Sequence, residues 1–331
     1  MDKLFLIDAY ALIYRSYYAF IRSPRINSKG QNTSAILGFC NTLNEVITKE
    51  QPTHIAVAFD HGLTFRHEAF PDYKAQREET PEDIKLAVPY IKQILEAMRI
   101  PILQTDGFEA DDIIGTVALK AGNDGIETYM LTPDKDYGQL IRNNIFMYRP
   151  RHGGGYEIIG PNEIQDKYGV PEAAQVIDLL ALMGDSADNF PGCPGVGEKT
   201  AAKLINQFGS VENLLNHTDE LKGKMREKVE GAVDDIKMSK FLATIRTDVP
   251  FDMKWDELKV EAIDEEKLTA IFQELEFKTL LNKFIKKGKE NKKTENLQLN
   301  LFEEIPTERA VAPEKSQNLS LSDVPHKYKL I

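Results

Sequence analysis

Residues 54–60, His-Ile-Ala-Val-Ala-Phe-Asp, decide the fold. Six residues of strand length, apolar after the first, run without a break into the carboxylate of Asp60. That is how a buried strand reads. Working outward, Lys3–Ile7 repeats the figure and stops on Asp8. Ile100–Gln104, Ile126–Leu131 and Ile145–Tyr148 read as third, fourth and fifth strands. Between them lie helical periods at Thr33–Glu50, at Pro81–Arg99 with its Pro-Glu-Asp start, and at Glu109–Ala121. Strand–helix alternation predicts an α/β fold, a mainly parallel sheet with helices on both faces, over residues 1–170. From Pro161 the pattern turns helical, at 161–169, 171–183, 199–208, 224–245 and 264–285, so 171–285 is expected to be a helical region. No repeat of 20–50 residues is present.

After Lys286 the composition becomes polar and loses its period, which predicts a flexible linker over 286–322. The last stretch, 323–331, ends in His-Lys-Tyr-Lys-Leu-Ile. It reads either as the first strand of a further domain or as an ordinary terminus.

The chain has 331 residues, 42% of them hydrophobic, enough for a sizeable core and more than one compact unit usually takes. Cys40 and Cys193 are the only cysteines, so no disulfide framework is expected and a reducing cytoplasm suits the chain. Asp8 breaks the first apolar run too early for a signal peptide, and no run is long enough to span a bilayer. Lysine and arginine number 41 against 52 aspartates and glutamates, a net charge of −11. That balance argues against a nucleic-acid partner unless carboxylates are gathered in a metal site and basic residues line another face.

The acids at the strand ends bear on that condition. Asp8 follows the first strand and Asp60 the second. Glu109, Asp111 and Asp112 follow the third, and Asp134 and Asp136 the fourth. In a parallel sheet these ends share one edge. Asp185 and Asp188 follow in a Gly-Asp-Ser-Ala-Asp-Asn turn of the helical region. Taken singly, each is explained as a helix cap. Seven together at one edge repel unless cations or protons neutralise them. Oxygen donors without paired His or Cys favour Mg²⁺ or Mn²⁺ over zinc, and suit two-metal phosphodiester hydrolysis with ions ~4 Å apart.

Two further elements carry chemistry. Pro191-Gly-Cys-Pro-Gly-Val-Gly-Glu-Lys199-Thr200 precedes a helix but is neither a P-loop nor a dinucleotide fingerprint. Its amides and helix start can grip a phosphate, or it is a plain packing corner. Phe65-Arg66-His-Glu-Ala-Phe-Pro-Asp-Tyr73-Lys74-Ala-Gln-Arg77 mixes cations and aromatics, which suits a single strand of nucleic acid and equally a solvated loop.

FRHEAFPDYKAQR, FEADD, LTPDKD, GDSADN and PGCPGVGEKTA, in that order, resemble the 5′-nuclease (flap endonuclease) domain of bacterial DNA polymerase I from about Lys3 to Phe284. The resemblance implies a PIN-like α/β nuclease domain followed by a helix–three-turn–helix. It implies Asp8, Asp60, Glu109, Asp111 and Asp112 as one metal cluster, Asp134 and Asp136 as its shared edge, and Asp185 and Asp188 as the second. It implies Lys74 and Arg77 as catalytic cations from an arch over residues 61–80, a charged segment with few aliphatic residues that its composition makes mobile without DNA. Arg66, Tyr73, Lys74, Arg77, Gly192, Gly195, Gly197, Lys199 and Thr200 are then expected to contact DNA. K⁺ is implied at the glycine turn, and linker and final stretch resemble the run into a 3′-5′ exonuclease-like domain. Phe108 where Tyr is common and Cys193 where an aliphatic residue is usual depart from the pattern without touching the acids.

The expected activity is 5′-3′ exonuclease and 5′-flap cleavage of DNA by a monomer joined to polymerase domains, in primer removal and repair. Three other readings compete: a non-catalytic branched-DNA scaffold, a PIN-like ribonuclease without need of the glycine turn, and a small-molecule phosphatase without need of either DNA element.

Overall fold

Strand β1 (Lys3–Asp8) is buried at every position after its first, and it occupies the middle of the sheet. The computed structural model describes residues 2–286 apart from His152 and Asp252. After β1 come α1 (Ala9–Ala19), α2 (Ser34–Glu45), β2 (His54–Ala58), α3 (Phe65–Ala69), α4 (Glu82–Ala97), β3 (Ile102–Leu103), α5 (Ala110–Asn123), β4 (Glu127–Leu131), β5 (Ile145–Pro150) and β6 (Tyr156–Ile159). The sheet order is β3-β2-β1-β4-β5-β6, parallel through β5, with β6 antiparallel at the edge. The chain leaves β1 toward β2 and β3 on one side and returns as β4 on the other. The β1–β4 boundary is therefore a topological switch point, where such sheets hold their ligands beyond the carboxyl ends.

Alternation along the strands divides the core. Phe5, Ile7, Ile55 and Val57 face α1, α2 and α4, while Leu4, Leu6, Ala56 and Ala58 face α5. The second face continues into the helical region, which comprises α6 (Ile164–Tyr168), α7 (Val176–Met183), α8 (Glu198–Phe208), α9 (Val211–Asn216), α10 (Lys224–Gly231), α11 (Val233–Ala243), α12 (Glu265–Glu274) and α13 (Lys278–Leu281). One hydrophobic cluster runs from Leu4 to Leu258, so the expected boundary near residue 170 crosses a shared core within one unit, 1–286.

The five expected strands form, with β3 reduced to two paired residues. Three expectations change. Thr33–Glu50 is α2 continued by a π-helical turn, Val46–Glu50, that stops where Gln51 turns to φ +48°. The helix expected over 224–245 breaks at Ala232 into α10 and α11. The one expected over 264–285 breaks near Glu276, at φ +63°. Beyond Lys286, the expected linker and final strand lie outside the described residues. Among the described residues no helix is long and apolar enough to cross a membrane.

Candidate active site

The acids meet where the sheet topology puts them. Asp8 is the last residue of β1 and the N-cap of α1, with one carboxylate oxygen accepting the Ala11 N–H at 3.0 Å. Its other oxygen accepts from the hydroxyls of Thr132 and Tyr137, each at 3.3 Å. Burial, then the charges of Asp60 and Asp134, push its pKa up to about 7. Asp60, two residues beyond β2, accepts the Ala110 N–H at 2.8 Å. Asp134 caps the 3₁₀ turn Lys135–Leu140 after β4, accepting the Asp136 N–H at 3.0 Å.

Asp136 Oδ1 is buried and has no partner among the described residues. An unmet carboxylate oxygen out of water is costly, so an unmet one at a cluster marks a place for a cation or proton. Burial, then Asp134, holds its pKa well above the usual range, and burial, then Asp112, does the same to Asp111. Asp185 accepts the Ala187 N–H at 2.7 Å and meets the Lys135 ammonium at 3.1 Å. This all-oxygen, charge-crowded donor set fits a hard divalent cation. Among the described residues no three acids, histidines or cysteines are already drawn around one point. Basic side chains stand among them instead.

Lys74 Nζ lies 2.5 Å from Glu109 and 4.0 Å from Asp188. Burial opposes the ammonium charge, but Glu109 and then Asp188 outweigh it and raise the Lys74 pKa. Burial likewise opposes the Glu109 charge, and Lys74 and Arg66 hold that carboxyl below its usual range. Arg77 pairs with Asp188. The segment carrying these cations is packed onto the acids. The Lys74 N–H donates to the Asp188 carbonyl at 2.9 Å, Gln76 donates to Asn189 at 2.7 Å, and Asn189 donates to the Asp72 carbonyl at 2.7 Å. Lys74 and Asn189 both hold left-handed backbone, φ +58° and +57°.

Three residues expected at the ligands stand elsewhere in this structure. Arg66, expected on DNA, is 1% exposed and paired with Asp112 and Glu109, so it presents nothing to a strand. Tyr73, expected beside the DNA, is 3% exposed and turned inward, its hydroxyl donating to Glu109 at 3.0 Å. Asp112, expected as a metal ligand, has no exposure at all and accepts Arg66 through both oxygens, at 2.7 and 2.8 Å.

The glycine turn divides in the same way. Gly192 is buried with φ +62°, and a Cβ there would stand 2.2 Å from the Gly184 nitrogen. Its N–H donates to Ser239 Oγ at 2.9 Å, so Gly192 packs inward, away from the surface where a strand was expected to meet it. Gly195, Gly197 and Lys199 are exposed, with Thr200 partly so, and Gly197 caps the N-terminus of α8. Sequence reasoning missed Lys135 on Asp185, although it stands between two expected ligands. It also missed Gln139, whose amide donates to the Asp136 and Ala243 carbonyls, each at 2.9 Å.

Residues 3–169 match the family described as 5′-3′ exonuclease, N-terminal resolvase-like domain, and residues 171–266 match its C-terminal SAM fold. A DNA polymerase I of Bacillus caldotenax is 42% identical over 88% of this chain, but over only 33% of its own length. The chain thus spans about a third of such polymerases. A 5′-3′ exonuclease of Aquifex aeolicus is 37% identical over 85% of this chain and 94% of its own. The structure of the T5 D15 protein crystallised with metal ions is similar at a TM-score of 0.60 and 20% identity, over 86% of this chain and 98% of that one. The catalytic core of Rad2 with DNA substrate matches at 0.56 and 18%, over 82% and 87%. At these identities the two structures speak for the fold.

Proposed function

The chain belongs to the 5′-3′ exonuclease family, and from that premise we propose that it hydrolyses DNA phosphodiester bonds at 5′ ends and 5′ flaps, leaving a 5′-phosphate and a 3′-hydroxyl. The observation that carries this reading is the carboxyl edge at the β1–β4 switch point, with Asp136 Oδ1 buried and unmet. Asp8, Asp60, Asp111, Asp134, Asp136 and Asp185 would hold divalent cations, Mg²⁺ first and Mn²⁺ as a substitute. Glu109 and Asp188 complete the set once Lys74 and Arg77 turn from them to a phosphate. Bound there, such cations supply an activated water and charge stabilisation of the leaving oxygen. Lys74 and Arg77 would bring positive charge to the non-bridging oxygens, where negative charge grows as the bond breaks.

Gly195, Gly197, Lys199 and Thr200, at the start of α8, would seat a duplex phosphate without reading sequence, with K⁺ at the turn. DNA in the T5 D15 and Rad2 complexes supports this partner. Relatives of polymerase length support a place at the N-terminal end of a longer chain, with primer removal and repair as its work. The test is a 5′-flap duplex incubated with Mg²⁺ and, separately, with EDTA. Cleavage in the first alone supports the reading, and flap binding without cleavage favours the scaffold.

A further inference from the structure

Asp112 differs from the other acids of the edge in having no lone pair to spare. One oxygen accepts Arg66 Nη2 and the Arg246 N–H, both at 2.8 Å. The other accepts Arg66 Nη1 at 2.7 Å and the Glu109 N–H at 3.1 Å. Four donors meet about four acceptor sites, so the carboxylate is saturated. Arg66 is met as fully. Beyond Asp112, its Nη1 reaches Glu109 at 3.1 Å, Nε the Leu242 carbonyl at 2.8 Å, and Nη2 the Thr244 carbonyl at 2.8 Å.

Those carbonyls belong to the last turn of α11 and the connector that leaves it. Gln139 takes the next groups, donating to the Ala243 carbonyl at 2.9 Å and accepting the Ile245 N–H at 2.9 Å. Five consecutive residues, 242–246, are thus gripped by their main chain from the strand-end side. Further back on α11, Ser239 holds the Gly192 N–H of the glycine turn.

We infer that Asp112 and Arg66 are positioning residues. They form a clasp that orients Glu109 and registers the helical region, through 242–246 and α11, against the carboxylate edge. Asp112 is then no ligand of the cations. The inference rests on the reading of that edge as a metal-dependent nuclease centre.

The test is Mn²⁺ binding to the full chain without DNA, by calorimetry, together with thermal melting. The proteins are wild type, Asp134→Asn, Asp112→Asn, Arg66→Gln and the double variant Arg66→Gln/Asp112→Asn. Asp134→Asn is expected to lose an ion or bind tenfold more weakly. Asp112→Asn is expected to melt early, because it strands a buried guanidinium, yet to bind the wild-type number of ions. The double variant replaces the ion pair by a neutral pair, smaller at position 66, that can still hydrogen-bond. It should melt above Asp112→Asn and keep every ion, which carries the test if the single variant fails to fold. Loss of an ion from the double variant overturns the inference, as does a double variant that melts no higher than Asp112→Asn. If Asp134→Asn binds Mn²⁺ as the wild type does, the metal reading of the edge fails, and the melting comparison still decides the clasp.

Discussion

The ammonium of Lys74 lies 2.5 Å from the carboxylate of Glu109, carried there by a left-handed residue whose N–H is fixed to the Asp188 carbonyl. A lysine thus neutralises an acid that the proposed chemistry needs for a cation. In this structure the segment expected to arch over the site is folded across it, with Lys74 on Glu109 and Arg77 on Asp188.

Lys74→Ala is expected to lower single-turnover cleavage of a 5′ flap by on the order of 10²-fold or more, the range for losing one electrostatic stabiliser. Flap affinity should fall far less, because the proposed duplex seat lies at α8. Equal losses in both would make Lys74 a tether for the strand.

Asp134→Asn keeps the shape of the side chain and loses its charge. Cleavage should drop by roughly 10³-fold or more, which corresponds to about 4 kcal/mol of barrier. Flap binding in Ca²⁺ should stay within a few-fold. A variant cutting near the wild-type rate removes Asp134 from the cation set.

Gly192 and Gly197 should fail in different ways. Every atom crowding a Cβ at Gly192 is backbone, so Gly192→Ala is expected to cost about 3 kcal/mol or more and roughly 5–10 °C in Tm. At Gly197, φ is −100° and a Cβ meets nothing within 4 Å. Gly197→Val should therefore melt near wild type while losing about tenfold in duplex affinity, some 1.4 kcal/mol, by blocking phosphate approach. Unchanged affinity would make the turn a packing corner.

Stability without metal should depend on pH in an unusual direction. The Asp8 carboxyl rises from 3.8 to about 7 on folding, mainly through burial. Between those values the folded chain keeps a proton that the unfolded chain has released, so stability falls as pH rises. For Asp8 alone the span is worth up to roughly 4 kcal/mol, and Asp111 and Asp136 shift in the same direction. In EDTA, Tm should decline from about pH 5 to about pH 8, and Mg²⁺ should restore it at the upper end. A flat or rising curve in EDTA contradicts the crowding of charge at this edge.

The strand-end acids were legible because period and chain order place strand ends without any knowledge of packing. The edge strand β6 was not: Tyr156–Ile159 is four residues long, follows three glycines and leaves Ile158 exposed. Asp111 and Asp112 look alike in the sequence, yet consecutive helical residues point about 100° apart. One can face the cleft only if the other turns away. The spacing of Glu109 and Asp112 carried a usable signal, since an acid three residues after the N-cap reaches back to the cap N–H, as Asp112 does. The inward packing of Arg66 and Tyr73 was not legible, because cations and aromatics in a linking segment carry no mark of which side packs inward.

The main-chain grip on residues 242–246 has a consequence for how this stretch tolerates change. Arg66, Gln139 and Asp112 read peptide groups there and no side chain. Identity at partly exposed positions such as Arg246 is therefore of little account to the grip, whereas spacing is fixed. A single residue inserted between Thr244 and Ile245 would leave the carbonyls read by Arg66 and Gln139 in place and carry the Ile245 and Arg246 amides out of register with Gln139 and Asp112. It should cost more than replacing the Arg246 side chain, though the insertion adds nothing but length.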